Sequence, residues 1–543
     1  MKIGIFTRKF LELTNWELRL IEEIINDPNL ELSLLIFDGR ETIKSKYLFR
    51  LKNFFGKGFL KIQLSIEEFF LKSTSNINKE HILRNLEKVD SINVYPEKKR
   101  FFDYFKSEDS DKISKYNLDV IIRREFGIIK GDIFKSAKHG IWSFHHGDNS
   151  INRGGPAGFW EMILKEKTVG VTLQQLTPEL DGGNVIDKAF FNRQWSYYLT
   201  RSLILEGSVS LILKNLKKIN SEPLVTKKST TYFNPLYKSP NLYYVLIYIH
   251  RFYGFILKKI GQKILTFLFG FRFHRWTLFI GRGDFMNAYL FRIKPVKLPK
   301  NEFWADPFLI EYKNETFIFF ENYSYKTKKG IISCGKIDIN NNVSNVVDVL
   351  DLDYHLSYPF VFEENGDVFL MPESKSNKRL EIYRSTNFPN DWELYSTAFE
   401  GEMVGDAFFY DDKNGDKWLF INKQVANGTL METELFIYRV DSLKLKSLEP
   451  HRQNPIYIDS SIARNGGAIF EYDDKLFRPS QSNIDGIYGK ELNINYIKSL
   501  TIDKYVEEKE IVIKPNFQKN LKAIHHLHQI NGIFVFDAAY RIK

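Results

Sequence analysis

Over the first 220 residues, short apolar runs alternate with stretches of helical spacing. Residues 2–6 form a buried-strand pattern, 16–25 place Trp, Leu and Ile at helical intervals, and 32–37 are strand-like again. Apolar runs at 92–95 and 120–122 add two further strands. Strands separated by helices predict a parallel, doubly wound α/β domain over residues 1–220. From about residue 301 the pattern becomes short strands in a degenerate repeat: ADPFLIEYKNETFIFF, SYPFVFEENGDVFLMP, GDAFFYDDKNGDKWLF, GGAIFEYDDKLFRPS and IHHLHQINGIFVF. Counted from Phe308, Phe360, Phe408, Ile469 and Leu527, the steps are 52, 48, 61 and 58 residues. Five such hairpins predict an all-β five-bladed propeller over 301–543. A β-sandwich would leave the recurring hairpin unexplained.

Residues 221–300 read as a linker followed by a basic amphipathic connector, with three Pro before residue 241. The apolar run that follows is interrupted by Arg251, Lys258, Lys259 and Lys263, so it lacks the uncharged length of a spanning helix. On a helical projection Arg251 and Lys258 share one face with Tyr244, Gln262 and Thr266, while Val245, Ile249, Phe252, Ile256, Ile260 and Phe267 fall largely on the other. Such a helix either lies peripherally in an anionic membrane interface or packs between domains with its Lys heads in water.

Composition narrows the classes. With 43% hydrophobic and 27% charged residues in 543, wholesale disorder and a multispan membrane protein are both excluded. Aromatic residues are in excess, 47 Phe, 28 Tyr and 8 Trp, as a strand-rich chain requires. The lone Cys334 excludes an internal disulfide and a Cys-based zinc site and points to a reducing compartment. The start carries neither a long apolar signal region nor a cleavage site, which predicts a cytoplasmic protein. The net charge is +10, and residues 241–300, with eleven Lys/Arg against one acid, hold all of it. Because that charge sits in an apolar helix and not along an open polar groove, nucleic acid is not the expected partner. The first strand is not followed by G-x-G-x-x-G, which disfavours a dinucleotide.

The stretch IWSFHHGDNSINRGGPAGFWEMILKEKTVGVTLQQLTPELDGGNVI, residues 141–186, resembles the N10-formyltetrahydrofolate-dependent formyltransferase family in the order of its elements. A strand precedes a second strand ending in His, followed by an Arg-Gly turn, a Trp-containing helix, a TGVT-like strand and an LDGG turn. The resemblance implies His145 as catalytic base, Asp181, 36 positions on, as its orienting carboxylate, and Arg153 and Gly154 in the substrate loop. Ser143 stands where the family has Asn, so one oxyanion donor is weakened. His146 and Asp148 replace apolar loop residues, which suits a hydroxyl-rich or cationic substrate. A His held by a carboxylate can protonate the departing nitrogen and take the amine proton. His145 and His146 are adjacent on a strand and point to opposite faces, so no metal site is expected there. A buried structural pair without activity is the alternative for His145 and Asp181.

In the second half FWADPFLIEY and the MPES step are similar to the propeller portion of plant glucosamine inositolphosphorylceramide transferases and, more distantly, to invertase and arabinanase-type glycosidases. The latter resemblance implies Asp306 as base or nucleophile, with Glu373 and Asp406 on following blades. Paired carboxylates are what glycosidic chemistry requires. Arg464 and Arg478, with Asn465, His525, His526 and His528, would complete a carbohydrate-binding mouth or a polar plug. The two halves together predict N-formylation of a nucleotide- or lipid-linked amino sugar in surface glycan assembly, with N10-formyltetrahydrofolate as cofactor. The alternatives are glycosidase or glycosyl-transfer chemistry in the propeller above a degenerate first domain, and a glycan-binding adaptor.

Overall fold

The computed structural model describes residues 1–7, 12–40, 54–72, 77–179, 183–228 and 231–540. The chain divides into two compact units, Met1–Phe190 with Gln194–Phe252, and Phe191–Arg193 with Tyr253–Lys543.

The first unit is built on β1 (Lys2–Thr7), α1 (Asn15–Asn26), β2 (Glu31–Asp38), α2 (Phe54–Leu71), β3 (Ser91–Val94), β4 (Val120–Arg123), β5 (Ile141–His145), α3 (Phe159–Leu164), β6 (Val169–Gln175), β7 (Asn184–Phe191) and α4 (Tyr197–Ser221). The sheet order is β7-β6-β5-β4-β1-β2-β3. Strands β3, β2, β1, β4 and β5 are parallel, and β6 runs antiparallel to β5. The central strands are near-continuous apolar runs, with Ile3, Ile5, Phe6, Val120, Ile121 and Ile122 all buried, as strands covered on both faces must be. Helix α1 opens with a capping box in which the Thr14 backbone N–H donates to Glu17 Oε2 at 2.9 Å. Strand order reverses between β1 and β4, which opens a crevice at their carboxyl ends.

Helix α5 (Leu242–Phe269) buries Val245, Tyr248 and Phe252 in its first turns. A buried carboxylate fixes the local packing: Glu67 of α2 accepts from the Tyr248 hydroxyl, from Gln63 Nε2 at 2.9 Å, from Ser196 Oγ at 2.6 Å and from the Tyr198 backbone N–H at 3.0 Å. The apolar face of the helix is split, since Ile260 and Phe267 further along it are exposed.

The second unit is a ring of five antiparallel sheets. Four follow the repeats: β9 (Glu302–Tyr312) to β12 (Val343–Leu350) through β10 (Glu315–Ser324) and β11 (Lys329–Ile337); β13 (Ser357–Glu364), β14 (Asp367–Glu373), β15 (Leu380–Asn387) and β16 (Asp391–Ala398); β17 (Met403–Asp411), β18 (Lys417–Gln424), β19 (Glu434–Val440) and β20 (Leu448–Pro450); and β21 (Phe470–Tyr472), β22 (Lys475–Ile484), β23 (Ile487–Leu500) and β24 (Tyr505–Ile513). The fifth joins β25 (Leu521–Ile530) and β26 (Ile533–Tyr540) to β8 (Arg275–Arg282), which pairs antiparallel with β26 from Arg275↔Tyr540 to Arg282↔Ile533. Strand β8 falls inside the segment read from sequence as connector. Its alternation is hidden there because the apolar residues of α5 run almost directly into it.

Each of the first three repeats starts with a bulge, at Ala305/Phe308, Ser357/Phe360 and Gly405/Phe408. The bulged residues Asp306, Tyr358 and Asp406 have φ of 51°, 46° and 47°. A bulge re-aims the side chain it carries, which is why the small or polar step recurs before each aromatic pair. Within the fourth sheet, Arg478 of β22 is fully buried and bonded to both carboxylate oxygens of Glu507 of β24, at 2.9 and 2.6 Å, to Asn465 Oδ1 at 3.0 Å and to the Ile462 carbonyl at 2.9 Å. Removing one member of such a pair strands the other charge in a low-dielectric interior. Arg478→Ala is therefore expected to destabilise the propeller by about 3–5 kcal/mol, read as a lowered urea midpoint of its unfolding transition.

Candidate functional site

A cavity of about 250 Å³ lies on the propeller axis, walled by Trp276, Phe303, Tyr323 and Tyr488 and lined by Asp306, Glu321, Glu373, Arg464 and His525. Aromatic faces beside carboxylates suit the apolar faces and hydroxyl edges of a sugar ring.

Asp306 is placed by its bulge and by Asp537. The Asp306 backbone N–H donates to Asp537 Oδ2 at 2.9 Å, while Asp537 Oδ1 receives His525 Nδ1 at 2.8 Å and the backbone N–H groups of His526 at 3.1 Å and His525 at 3.3 Å. The other face of that imidazole, Nε2, is 3.8 Å from Asp306 Oδ1. Trp276 stacks on the His525 ring at 3.9 Å with 14° between planes, and Tyr488 meets it edge-on at 5.4 Å. Burial would lower the His525 pKa, but the carboxylates of Asp537 and Asp306 more than reverse this and hold it above the ordinary value. Burial raises Asp306, helped by Asp537 and Asp406 and opposed by His525. Glu321 is pushed well above the carboxylate range by burial and by the neighbouring acids, Asp306 first among them.

Glu373 lines the cavity and accepts from Arg464 Nη2 at 3.3 Å. Asp406 does not line it. Its carboxylate binds Arg464 Nε from behind and Nη2 at 3.3 Å, so its part is to orient the guanidinium. Burial raises Asp406 to about 7, against the pull of Arg464. The structure thus brings Asp306, Glu373 and Arg464 together, moves Asp406 one layer back, and removes Arg478, which is engaged by Glu507 away from the cavity. Sequence reasoning missed Glu321, Asp537, Trp276 and Tyr488. Glu321 had a readable signal: it pairs with Ala305 as Glu373 pairs with Ser357, the same register in consecutive repeats. Among the described residues, Asp306, His525 and Asp537 are the group spaced to hold a cation, with ligand atoms within 4.8 Å. Here they are wired as a hydrogen-bonded relay.

The first unit has its own cavity, about 500 Å³, at the strand-order reversal, lined by Trp16, Glu17, Arg124, His146, Tyr197 and Arg201 among others. His146 faces it, stacked on Phe144 at 5.7 Å and lowered to about 3 by burial and then Arg124. His145 Nε2 donates to the Asn152 carbonyl at 2.5 Å, and the Ser143 hydroxyl, almost fully buried, accepts from Arg123 at 3.2 Å. Asp148 is held by Lys188 at 2.5 Å and Ser150 at 2.7 Å; these outweigh burial and keep it ionised below its usual range. Arg153 donates to the Asn149 carbonyl at 2.9 Å and covers the Tyr232 ring. Gly154 is required by close approach, since a Cβ there would lie 1.8 Å from the Tyr237 carbonyl oxygen. Asp181 lies outside the described residues.

Comparison with known proteins bears on the propeller. Residues 293–532 match the family model for the glucosamine inositolphosphorylceramide transferase 1 N-terminal region. Glucosamine inositolphosphorylceramide transferase 1 of Arabidopsis thaliana is 36% identical over 213 residues, 39% of this chain and 27% of the plant protein. The protein of the same name from Oryza sativa subsp. indica is 35% identical over 212 residues, 38% of this chain and 28% of the relative. The chain therefore spans little more than a quarter of the length of these relatives. Among solved structures, a thermostable family-43 glycoside hydrolase aligns over 44% of this chain and 88% of its own at 10% identity and a TM-score of 0.32. Glycinamide ribonucleotide transformylase 1 from Symbiobacterium toebii aligns over 42% of this chain and 94% of its own at 12% identity and a TM-score of 0.29.

The relay predicts a titration. In Asp537→Asn the His525 imidazolium loses its nearest anion, so its pKa should fall from above to below the ordinary value. An NMR pH titration of the His525 ring checks this, and an unchanged midpoint would refute the relay.

Proposed function

We propose that the protein is a carbohydrate-active enzyme whose axial propeller cavity breaks and forms glycosidic bonds on a glycan or the sugar headgroup of a glycolipid. The observation that carries the reading is the set of buried carboxylates in one aromatic-walled cavity, with Asp306 beside the His525 ring, whose pKa its acidic neighbours raise, and Glu321 pushed well above the carboxylate range by burial. The plant relatives, named as transferases of an inositolphosphorylceramide, support the glycolipid class.

In this reading Glu321 gives its proton to the departing oxygen as the bond from the anomeric carbon breaks. The Asp306 carboxylate either attacks that carbon or takes the proton of the incoming hydroxyl, and the new bond closes there. His525 opposes the upward shift of Asp306 and so favours its ionised form, and Arg464 with Glu373 orients hydroxyl groups.

Formyl transfer from N10-formyltetrahydrofolate, expected of the first unit, is carried less far by its described residues. The Ser143 hydroxyl is turned to Arg123 and the His145 Nε2 proton is committed to a backbone carbonyl.

Asp306→Asn and Glu321→Gln should each lower glycosyl turnover about 10²- to 10⁴-fold, while His145→Ala leaves it unchanged. Because Asp306 must be ionised and its pKa is raised, the acidic limb of the kcat/KM profile should lie above the ordinary carboxylate range. His525→Gln removes a positive neighbour, raises Asp306 further and moves that limb to higher pH. The decisive assay offers glycolipid donors and, separately, an amino sugar with N10-formyltetrahydrofolate. Formyl transfer lost in His145→Ala and intact in Asp306→Asn would replace this reading with the other.

A further inference from the structure

The described helices include two long ones with an exposed apolar stripe that the propeller chemistry does not use. On α5 the stripe runs through Leu246 and, seven residues on, Tyr253, then through Leu257, Ile260, Ile264 and Phe267 at alternating steps of four and three residues, which keep it on one side. Phe267 is 88% exposed. On α2 the stripe is Phe55, Phe59, Ile62, Ile66 and Phe69, the last 81% exposed, with Phe70 beside it. A groove of about 400 Å³ between Ile62, Ile66, Phe69 and Phe70 is edged by Lys61. Apolar surface of this extent is found where a protein meets a partner or a lipid phase.

Charge selects between those occupants. Residues 242–269 contain no Asp or Glu and carry Arg251, Lys258, Lys259 and Lys263. The last three are exposed beside the stripe. On α2, Lys57 and Lys61 are exposed, the Glu67 carboxylate is consumed in the interior, and Glu68 lies 3.8 Å from Lys72. A second copy of α5 laid along the first would bring like charges together with no acid to answer them. An anionic lipid surface answers all of them at once and takes up the apolar stripe beneath its headgroups. No helix among the described residues is long and apolar enough to cross a membrane, so contact must be within the interface.

We infer that α5 is an interfacial membrane helix that docks the protein on anionic lipid, with α2 offering a second apolar face to the same kind of surface. Binding draws on two terms, burial of the stripe and attraction of the Lys heads, and only the second is screened by salt.

The test is co-sedimentation of the full chain with vesicles of phosphatidylcholine alone and of phosphatidylcholine mixed with phosphatidylserine. Binding should be at least about tenfold stronger to the mixed vesicles and should weaken as salt rises. The triple change Lys258→Glu, Lys259→Glu, Lys263→Glu should abolish this preference. The pair Leu257→Ser, Ile264→Ser should weaken binding at every salt concentration. Circular dichroism and glycosyl turnover on a water-soluble substrate, unchanged in both variants, show that the fold and the axial cavity are intact. Equal partition to both vesicle types, or none to either, overturns the inference. So does a concentration-dependent dimer in sedimentation velocity that is lost in Leu257→Ser, Ile264→Ser without any vesicle binding, because the stripe would then belong to a second copy.

Discussion

At the propeller's seam the first and last sheets are tied by the Asp537 carboxylate, and beside it the Leu309 backbone N–H of β9 donates to His528 Nδ1 of β25 at 3.1 Å. Asp537 on β26 accepts backbone N–H groups from Asp306 on β9 and from His525 and His526 on β25, so the first and last sheets of the ring are joined through its two oxygens. Its third kind of partner is the His525 ring. The same contacts that close the ring therefore fix the backbone beneath Asp306 and set the tautomer and charge of the imidazole beside it. A fully buried carboxylate satisfied by several donors is stable only while all of them are present. Closure and site geometry thus depend on each other: β8 completes the fifth sheet and also supplies Trp276, the ring on which His525 rests.

Around that anchor the cavity is deficient in positive charge. Asp306, Glu321 and Glu373 face it, with Asp406 and Asp537 behind, and the compensating groups in contact with them are Arg464 and His525. Burial in such company disfavours ionising every carboxylate at once, so the groups are forced into different protonation states. Arg464 divides its donors between Asp406 and Glu373, whereas Asp306 has the His525 ring at 3.8 Å and, at 3.7 Å, the ring of His526, which burial holds well below the ordinary histidine range. This unequal sharing, more than the identity of any single residue, separates an acid from a base within one cavity.

Much of this architecture was legible in the chain because it follows from periodicity. Runs such as KIGIF and DVII read as buried strands, and the hairpin repeat placed Asp306, Glu373 and Asp406 at similar places on successive blades; the structure keeps Asp306 and Asp406 equivalent, each at a bulge, and puts Glu373 at the end of a second strand. The register that carries Glu373 also carries Glu321, but ENYS looks like an ordinary solvated strand end until the sheet is closed. Arg478 illustrates the opposite error: an arginine among polar residues reads as a site residue, and its partner Glu507 is 29 positions away on another strand. Strand β8 was hidden by the apolar helix before it, and Asp537 by FVFDAAY, where one acid in an apolar strand gives no hint of four donors converging on it. His145 and His146 are neighbours whose sequence cannot tell which faces the crevice; the end of β5 decides for His146.

The matched plant relatives contain far more chain than this propeller, and a propeller can also serve as a recognition module alone. The electrostatics argue against that for this chain. A module that only binds sugar hydroxyls does best with ionised carboxylates at a wet rim, where they accept hydrogen bonds without desolvation. Burying Asp306, Glu321 and Asp406 until each is displaced upward is unfavourable, and the displacement weakens them as acceptors. It is useful where a proton must be given and taken near neutral pH.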